Sequence, residues 1–223
     1  MAASALAKSK IPSVLIYGDS NTWGYVPGSF DLNSGTCERY SDRLRFSGIV
    51  QHKFEDKLNI IDAGLNGRTI GVNDPQWSGR CALDHVAISI EQHCPDILLI
   101  MLGTNDLKAK YKRSATQIIQ DLENLVINVQ SIKLIKNHNL QIILTLPPAI
   151  TSENSFDGEF MGAISKRIDL IKEIQNLASK LKIPYINLSN VSPSDIDGIH
   201  LDELGHREVA NIISNDLGLY VNF

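Results

Sequence analysis

The sequence predicts a single α/β domain, a three-layer α/β/α sandwich with a parallel, five-stranded sheet. First, five short apolar runs alternate with longer segments whose apolar residues recur at helical spacing. Second, polar residues suited to chemistry follow directly after several of these runs. Third, the length of 223 residues fits one domain of the larger α/β kind better than two small ones. A domain of this size buries enough surface to need no disulfide or metal for stability.

The apolar runs are continuous, which is typical of strands that are buried on both faces of a parallel sheet. They are residues 14–17, 59–63, 97–102, 141–146 and 185–188. The helix-period segments are residues 40–57, 80–93, 114–136, 160–181 and 203–216. Because strands and helices alternate throughout, the connections should be right-handed crossovers in a doubly wound, flavodoxin-like sheet.

Composition argues against several classes of function. The net charge of −4 opposes an electrostatic surface for nucleic acids or membranes. No apolar stretch reaches the roughly 20 residues that a membrane span requires. The three cysteines are widely spaced, and the histidines other than His200 show no metal-ligand spacing, so we expect no metal and no cofactor. Residues 1–10 make a poor signal peptide and are predicted to be a flexible tail. We expect a cytoplasmic protein, with export by a signal that has been removed as the alternative.

The first strand ends abruptly in Gly18, Asp19 and Ser20. This places the Ser20 hydroxyl at the carboxyl end of a buried strand, where open α/β sheets bind ligands. A serine there can be a nucleophile if a base and an oxyanion site also exist. Its ordinary interpretation is a cap or turn residue at the start of a helix.

Three further positions supply the missing groups. Asp197 and His200 are close enough in sequence for the carboxylate to fix the tautomer of the ring and stabilise its imidazolium. Asn105 follows the third strand, and its amide can donate to an oxyanion without competing as a base. Gly67 offers a backbone N–H that no side chain obstructs. Each residue alone has a turn or cap interpretation, but their occurrence together favours nucleophilic catalysis.

Four sequence blocks resemble those of the SGNH hydrolases, also called the GDSL esterase/lipase family. They are GDSNTWG with Ser20, GLNGRT with Gly67, GTND with Asn105, and DGIH with Asp197 and His200. The resemblance extends over nearly the whole chain and is greatest to the bacterial arylesterase and acyltransferase branch. One departure is Asn21, which stands where the family name has leucine.

The resemblance implies a serine esterase that hydrolyses short-chain acyl or aryl esters through an acyl-serine, with acyl transfer to alcohols as a further activity. Ser20 would attack the ester, His200 would act as the base, and Asp197 would orient His200. The N–H groups of Ser20 and Gly67 and the side chain of Asn105 would hold the oxyanion. A carbohydrate O-acetylesterase with the same triad is the alternative. The expected partner is a small-molecule ester, and a homo-oligomer stays open because the arylesterase branch tends to oligomerise.

The three long loops that follow strands, residues 25–39, 71–79 and 147–159, are expected to shape a substrate pocket. The candidate pocket side chains are Trp23, Phe156, Phe160 and Ile199. Trp23 fits equally well as a packing residue under the first loop. Arg68 is interpreted either as an anchor that pairs with a nearby acid or as a solvated surface charge.

Two other classes of function fit less well. Asp19 also ends a strand, as the nucleophile of an aspartyl phosphotransferase does. However, Asn21 stands where the second carboxylate belongs, and no later pair of aspartates is present to hold magnesium. A non-catalytic binding module would leave a complete triad and oxyanion set unexplained. Asp19 is expected instead to brace its block through backbone hydrogen bonds.

Overall fold

A five-stranded parallel sheet forms the centre of the protein. The computed structural model describes residues 11–136 and 139–220, so the predicted tail over residues 1–10 lies outside the described residues. The strands are β1 (Ser13–Gly18), β2 (Asn59–Gly64), β3 (Ile97–Met101), β4 (Gln141–Leu146) and β5 (Tyr185–Asn187). Their order in the sheet is β2-β1-β3-β4-β5, and every neighbouring pair is parallel. The predicted sheet is confirmed.

Helices connect the strands. They are α1 (Ser20–Trp23), α2 (Phe46–Phe54), α3 (Ala82–His93), α4 (Ala115–Lys136), α5 (Ser155–Gly158), α6 (Ala163–Leu181) and α7 (Glu203–Tyr220). Single turns of 3₁₀ helix occur at Glu55–Lys57, Pro75–Trp77, Asn105–Leu107 and Ala109–Tyr111. Within the described ranges, none of the helices is long and apolar enough to cross a membrane.

The side chains of β1 show how the layers form. Successive side chains of a strand point to opposite faces of the sheet. Leu15 and Tyr17 pack in the apolar cluster that includes α3, α4 and α6, whereas Val14 and Ile16 pack in the cluster that includes α2 and α7. All four side chains are fully buried. The sheet therefore lies between two helical layers, as predicted for a three-layer α/β/α sandwich.

Two helices begin later than the sequence pattern predicts. The helix expected from residue 40 begins at Phe46, because a turn precedes it in which the Ser41 carbonyl accepts the N–H groups of Leu44 and Arg45. The helix expected from residue 160 begins three residues later, because Gly162 has a φ of +79° and lies outside the helical region. Both differences arise from loop conformations that hydrophobic periodicity does not detect.

The strand order brings the four sequence blocks together. Ser20 follows β1, which lies between β2 and β3 in the sheet. Gly67 follows β2 and Asn105 follows β3, so the segments that carry them flank Ser20. The segment that carries His200 follows β5 and returns to the same edge. All four blocks therefore meet at the carboxyl ends of the strands, where such sheets bind ligands.

Candidate active site

Ser20 is held at the start of a single helical turn. Asp19 caps α1 with its carboxylate, which accepts the N–H of Asn21 at 3.0 Å, as the predicted bracing role requires. Gly24 ends the turn with a φ of +88°, a conformation that favours glycine. Burial raises the pKa of Asp19 to about 6, and its hydrogen bond to Asn21 opposes that rise. The tight turn fixes the direction of the Ser20 side chain.

Ser20, His200 and Asp197 form one hydrogen-bonded series. The Oγ of Ser20 lies 2.9 Å from Nε2 of His200, and Nδ1 of His200 lies 2.8 Å from Oδ2 of Asp197. The other carboxylate oxygen of Asp197 accepts the N–H groups of Ile199 at 2.9 Å and His200 at 2.8 Å. Burial raises the pKa of Asp197, but hydrogen bonds and the charge interaction with His200 outweigh burial and lower it overall. An anionic Asp197 binds the Nδ1 proton, so Nε2 is free to accept the hydroxyl proton of Ser20.

Asn21 connects the Ser20 turn to the segment that carries His200. Its Oδ1 accepts the N–H of Leu201 at 2.9 Å, and its Nδ2 donates to the carbonyl of Ile199 at 3.3 Å. Both bonds are buried. The residue that departs from the family name therefore fixes the backbone on either side of His200, and leucine could not form these bonds.

Two aromatic rings contact the ring of His200. Tyr25 lies with its ring centroid 4.1 Å from that of His200 at an interplanar angle of 32°, and Phe156 contacts it edge-on at 5.6 Å. Tyr25 is buried, whereas Phe156 is 39% exposed. Phe156 was among the predicted pocket residues, but Tyr25 was not. The only sequence signal for Tyr25 is its place in the first long loop, just after the Ser20 block.

Gly67 and Asn105 are joined through the backbone of Arg68. Gly67 has a φ of +74°, in the left-handed region that favours glycine. Nδ2 of Asn105 donates to the carbonyl of Arg68 at 3.1 Å, which uses one of the two amide protons. Asn105 is buried, and its amide lies beside the turn that carries Gly67. The structure thus brings together two of the three groups predicted to hold an oxyanion.

Arg68 anchors its block, as the first of its two interpretations predicted, but its hydrogen-bond acceptors are carbonyls. Its side chain is buried rather than solvated. The guanidinium donates to the carbonyls of Gly18 and Ala63 and lies over the ring of Tyr17, 3.9 Å from the centroid. Burial lowers the pKa of Arg68. Carbonyl oxygens at the ends of β1 and β2 take the place of the expected acid.

Asp106, next to Asn105, forms a second link between the same two segments. Its two carboxylate oxygens each lie 3.0 Å from the backbone nitrogen of Ile70. Burial raises the pKa of Asp106 to about 7, and the hydrogen bonds from Ile70 and Gly71 oppose that rise. Asp106 thus holds the Gly67 loop against the Asn105 turn.

The other predicted pocket residues have different surroundings. Phe160 is buried and packs against Phe156, with 6.4 Å between ring centroids. The Ile199 side chain is buried in the core cluster. The Trp23 ring lies under the guanidinium of Arg39 at 5.3 Å, which favours packing under the first loop. The pocket roles of Phe160, Ile199 and Trp23 stay predictions.

Trp77, which the sequence pattern does not reveal, lies beside Gly67. A β-carbon at Gly67 would lie 3.2 Å from Cε3 of Trp77 and 3.0 Å from Nη1 of Arg80. Trp77 belongs to the second long loop, which was expected to border the site, and it is 39% exposed. Its ring can therefore form a wall of the site next to Gly67.

His206 follows the DGIH block but belongs to the helix packing. Its Nδ1 accepts the N–H of Phe46 at 3.3 Å, and its ring stacks on that of Phe46 at 5.9 Å. Within the described residues its Nε2 has no hydrogen-bond partner. Burial lowers the pKa of His206 to about 4, and the charge of Arg45 contributes. His206 joins α7 to the start of α2.

Comparison with known proteins matches this geometry to a family. The model of the GDSL-like lipase/acylhydrolase family matches residues 16–208. The chain belongs to this family. Membership assigns it to the acylhydrolases, as the sequence blocks predicted.

Solved structures of other family members have the same fold. The native aryl esterase of M. smegmatis is 26% identical with a TM-score of 0.86, over 94% of this chain and 100% of that one. Est24, a carbohydrate acetylesterase from Sinorhizobium meliloti, is 27% identical with a TM-score of 0.85, again over 94% and 100% of the two chains. This similarity supports an ester hydrolase.

A multidomain esterase from Ruminococcus flavefaciens is 23% identical over 190 residues. The match takes in 83% of this chain but only 22% of the relative. The chain therefore spans less than a quarter of the length of that protein.

Proposed function

We propose that the protein is a serine esterase that hydrolyses short-chain acyl or aryl esters through an acyl-serine intermediate. The observation that carries this proposal is the hydrogen-bonded series from Ser20 through His200 to Asp197, with distances of 2.9 and 2.8 Å. It lies at the carboxyl ends of the strands, next to Gly67 and Asn105. A serine, a base and an orienting carboxylate in this arrangement are the minimum set for nucleophilic acyl transfer.

The first half of the reaction acylates Ser20. As Oγ attacks the carbonyl carbon, Nε2 of His200 accepts the hydroxyl proton, and Asp197 stabilises the resulting imidazolium. The carbonyl electrons move onto oxygen. The N–H groups of Ser20 and Gly67 and the remaining Nδ2 proton of Asn105 donate to this oxyanion. When it collapses, the bond to the alcohol breaks and His200 returns the proton to the leaving oxygen.

The second half releases the acid. Water donates a proton to His200 and attacks the acyl-serine carbonyl, and the same donors hold the second oxyanion. Collapse frees the carboxylic acid and returns the proton to Ser20. An alcohol in place of water would give a new ester, so the same residues support acyl transfer. The rings of Tyr25 and Phe156 make the surroundings of His200 apolar, and we propose that an alcohol with an apolar group can compete with water there.

The aromatic surroundings favour small acyl groups. Tyr25 and Phe156 contact His200, and Trp77 lies beside Gly67. We infer that the two rings against His200 and the ring beside Gly67 restrict the length of the acyl chain. We therefore propose a preference for acetyl to butyryl esters over esters of eight or more carbons.

Active-site labelling tests the proposal. A fluorophosphonate should modify Ser20, and mass spectrometry of a digest should locate the adduct there. Ser20→Ala should abolish both labelling and hydrolysis of nitrophenyl acetate while thermal stability changes little. Ser131→Ala, which removes an exposed hydroxyl of α4, is the matched control and should retain activity. An adduct on another serine, with Ser20→Ala still active, would falsify the proposal.

A carbohydrate O-acetylesterase is the second candidate function, and the similarity to Est24 favours it. Both candidate functions use the same reaction of Ser20, and they differ in the alcohol that leaves the ester, which is a sugar in the second. Acetate release from acetylated glucose and from phenyl acetate, compared as kcat/KM, distinguishes the two functions. A value for the acetylated sugar that is at least ten times higher would favour the second candidate.

A further inference from the structure

We propose that Arg80 forms an anion-binding subsite beside Gly67, and that the preferred substrates are esters that carry a carboxylate group. This inference rests on the proposed esterase function and specifies its substrate class. Nη1 of Arg80 would lie 3.0 Å from a β-carbon at Gly67, so the guanidinium lies against the loop that carries this proposed oxyanion donor.

The guanidinium of Arg80 is held in place by an aromatic ring, but one of its nitrogens has no hydrogen-bond acceptor among the described residues. It lies over the ring of Trp77, 3.8 Å from the centroid. Nη1 is buried and, among the residues that the structure describes, has no hydrogen-bond partner. Burial lowers the pKa of Arg80, while the charge of Asp74 opposes this effect. A buried cationic donor without an acceptor is costly, and a carboxylate ligand would supply the missing acceptor.

The nearby carboxylates are already committed to other groups. Oδ2 of Asp74 accepts from Lys110 at 2.8 Å and from the hydroxyl of Tyr111 at 2.8 Å, and its Oδ1 accepts the N–H of Gln76 at 3.0 Å. The same contacts, led by that with Lys110, lower the pKa of Asp74 to about 2. Asp74 is therefore an anion whose hydrogen bonds go to Lys110, Tyr111 and Gln76, and its effect on Arg80 is through its charge alone.

The second nearby acid is paired in the same way. Glu159 binds Lys108 at 2.7 Å and lies 3.7 Å from Lys110. Lys108 in turn lies over the ring of Trp77 at 5.9 Å, on the same side of the site. These two lysines and Arg80 face two carboxylates, so one positive charge remains, and the geometry places it on Arg80. A guanidinium fixed on an aromatic ring suits the planar, bidentate recognition of a carboxylate.

The carboxylate could belong to the alcohol or to the acyl part of the ester, so the test has two arms. The alcohol arm compares 3-carboxyphenyl acetate with 3-carbamoylphenyl acetate. The acyl arm compares monomethyl succinate with methyl succinamate. Within each pair the two esters have nearly the same shape and differ in charge. The measured quantity is the ratio of kcat/KM for the carboxylate ester to that for the amide.

In the wild type, the ratio should exceed ten in one arm, and that arm identifies which part of the ester carries the charge. Arg80→Gln should lower the ratio at least ten-fold, and Arg80→Lys, which keeps the charge, should restore part of it. Arg207→Gln removes an exposed arginine of α7 and is the matched control, for which the ratio should not change.

A kcat/KM ratio near one in both arms for the wild type overturns the subsite. This outcome is measured on the wild type alone, so it does not depend on whether a variant folds. A wild-type preference that Arg80→Gln leaves intact also overturns it. In both cases Ser20-dependent hydrolysis of the amide esters would show that the esterase function stands. If the wild type hydrolyses nitrophenyl acetate but none of the four esters, the subsite is overturned and the esterase function stands. If it hydrolyses neither nitrophenyl acetate nor the four esters, both fail.

Discussion

The carboxamide of Asn21 is hydrogen-bonded to the backbone on both sides of His200. Asn21 is also the neighbour of Ser20, so one side chain fixes the position of the proposed base relative to the proposed nucleophile. The bonds to Leu201 and Ile199 measure 2.9 and 3.3 Å. A misplacement of about 1 Å in such a pair can cost about a hundred-fold in rate. We therefore propose that Asn21 is a positioning residue for the reaction.

Replacing Asn21 with leucine should lower kcat about 10–100-fold. The change leaves the buried N–H of Leu201 and carbonyl of Ile199 without partners, at a cost of about 1–3 kcal/mol each in the free energy of unfolding. Asn21→Asp keeps the acceptor for Leu201, and its negative charge should stabilise protonated His200. The acid limb of its pH–rate profile should therefore move to higher pH. A wild-type kcat for Asn21→Leu would show that the two hydrogen bonds of Asn21 are not needed for the reaction.

Asp197→Asn should keep the fold and lower kcat about 10⁴-fold. The amide would present a donor to Nδ1 of His200, which favours the tautomer with the proton on Nε2, and Nε2 could then no longer accept from Ser20. In the wild type, activity should fall at acid pH, because protonated His200 cannot act as the base. Asp195→Asn removes an exposed carboxylate two residues away and is the control. Equal losses in the two variants would contradict the assignment.

Asn105→Ala should lower kcat about 10²–10³-fold with a smaller change in KM. The amide donates most strongly when negative charge develops on the substrate oxygen. Removing it therefore destabilises the transition state more than the bound substrate, and the effect appears in kcat. Asn105→Asp has the same shape but opposes the oxyanion, and it should be at least as inactive. Steady-state kinetics on nitrophenyl acetate measures both variants. An unchanged kcat with a raised KM would show that Asn105 only binds substrate.

The pocket prediction is tested with a series of nitrophenyl esters from acetyl to decanoyl. The wild type should have its highest kcat/KM between acetyl and butyryl. Phe156→Ala should extend the accepted length, because the Phe156 ring lies edge-on against His200 at 5.6 Å. Trp23→Ala should also widen it, though less, since the Trp23 ring packs under Arg39. A wild-type optimum at eight or more carbons, or unchanged profiles in both variants, argues against a short pocket.

His206 should make the protein less stable at acid pH. Its pKa is lowered from 6.5 to about 4 by burial, so between these values the unfolded chain binds a proton that the folded chain does not. The stability that neutral His206 contributes is therefore present above pH 6.5 and is lost as the pH falls towards 4, by up to about 3 kcal/mol. Urea unfolding at pH 7.5 and 4.5 should show a smaller difference for His206→Gln than for the wild type. His52→Gln, at an exposed histidine, should behave as the wild type does.

The strands and the four blocks could be predicted from the sequence because both depend on local patterns. Continuous apolar runs identify buried parallel strands, and the polar residues that follow them must lie at one sheet edge. Ser20 and His200 could therefore be assigned to one site from the order of the strands and the residues that follow them. Helix starts could not be predicted as well, because the turn at Ser41 and the positive φ of Gly162 depend on the local backbone.

The residues that contact His200 or lie beside Gly67 were harder to predict for a different reason. Tyr25, Trp77 and Arg80 lie in or next to long loops, and no periodicity relates their positions to the sheet. The sequence left Arg68 open between an anchor and a surface charge, because it does not show that backbone carbonyls bind the buried guanidinium. These contacts form only when distant loops fold onto the carboxyl edge of the sheet, so neither composition nor periodicity predicts them.

The distance in sequence between Ser20 and His200, 180 residues, has a consequence for how the protein matures. A ribosome that adds roughly 5–20 residues per second needs roughly 10–40 s to add the histidine after it has added the serine. During that interval the nascent chain holds the proposed nucleophile without its proposed base. The two can meet only when β5 has joined the sheet and the following segment has returned to the Ser20 edge. Release of nitrophenol from an added nitrophenyl ester would then show in real time that the last part of the chain has docked. Hydrolysis would thus measure the completion of folding.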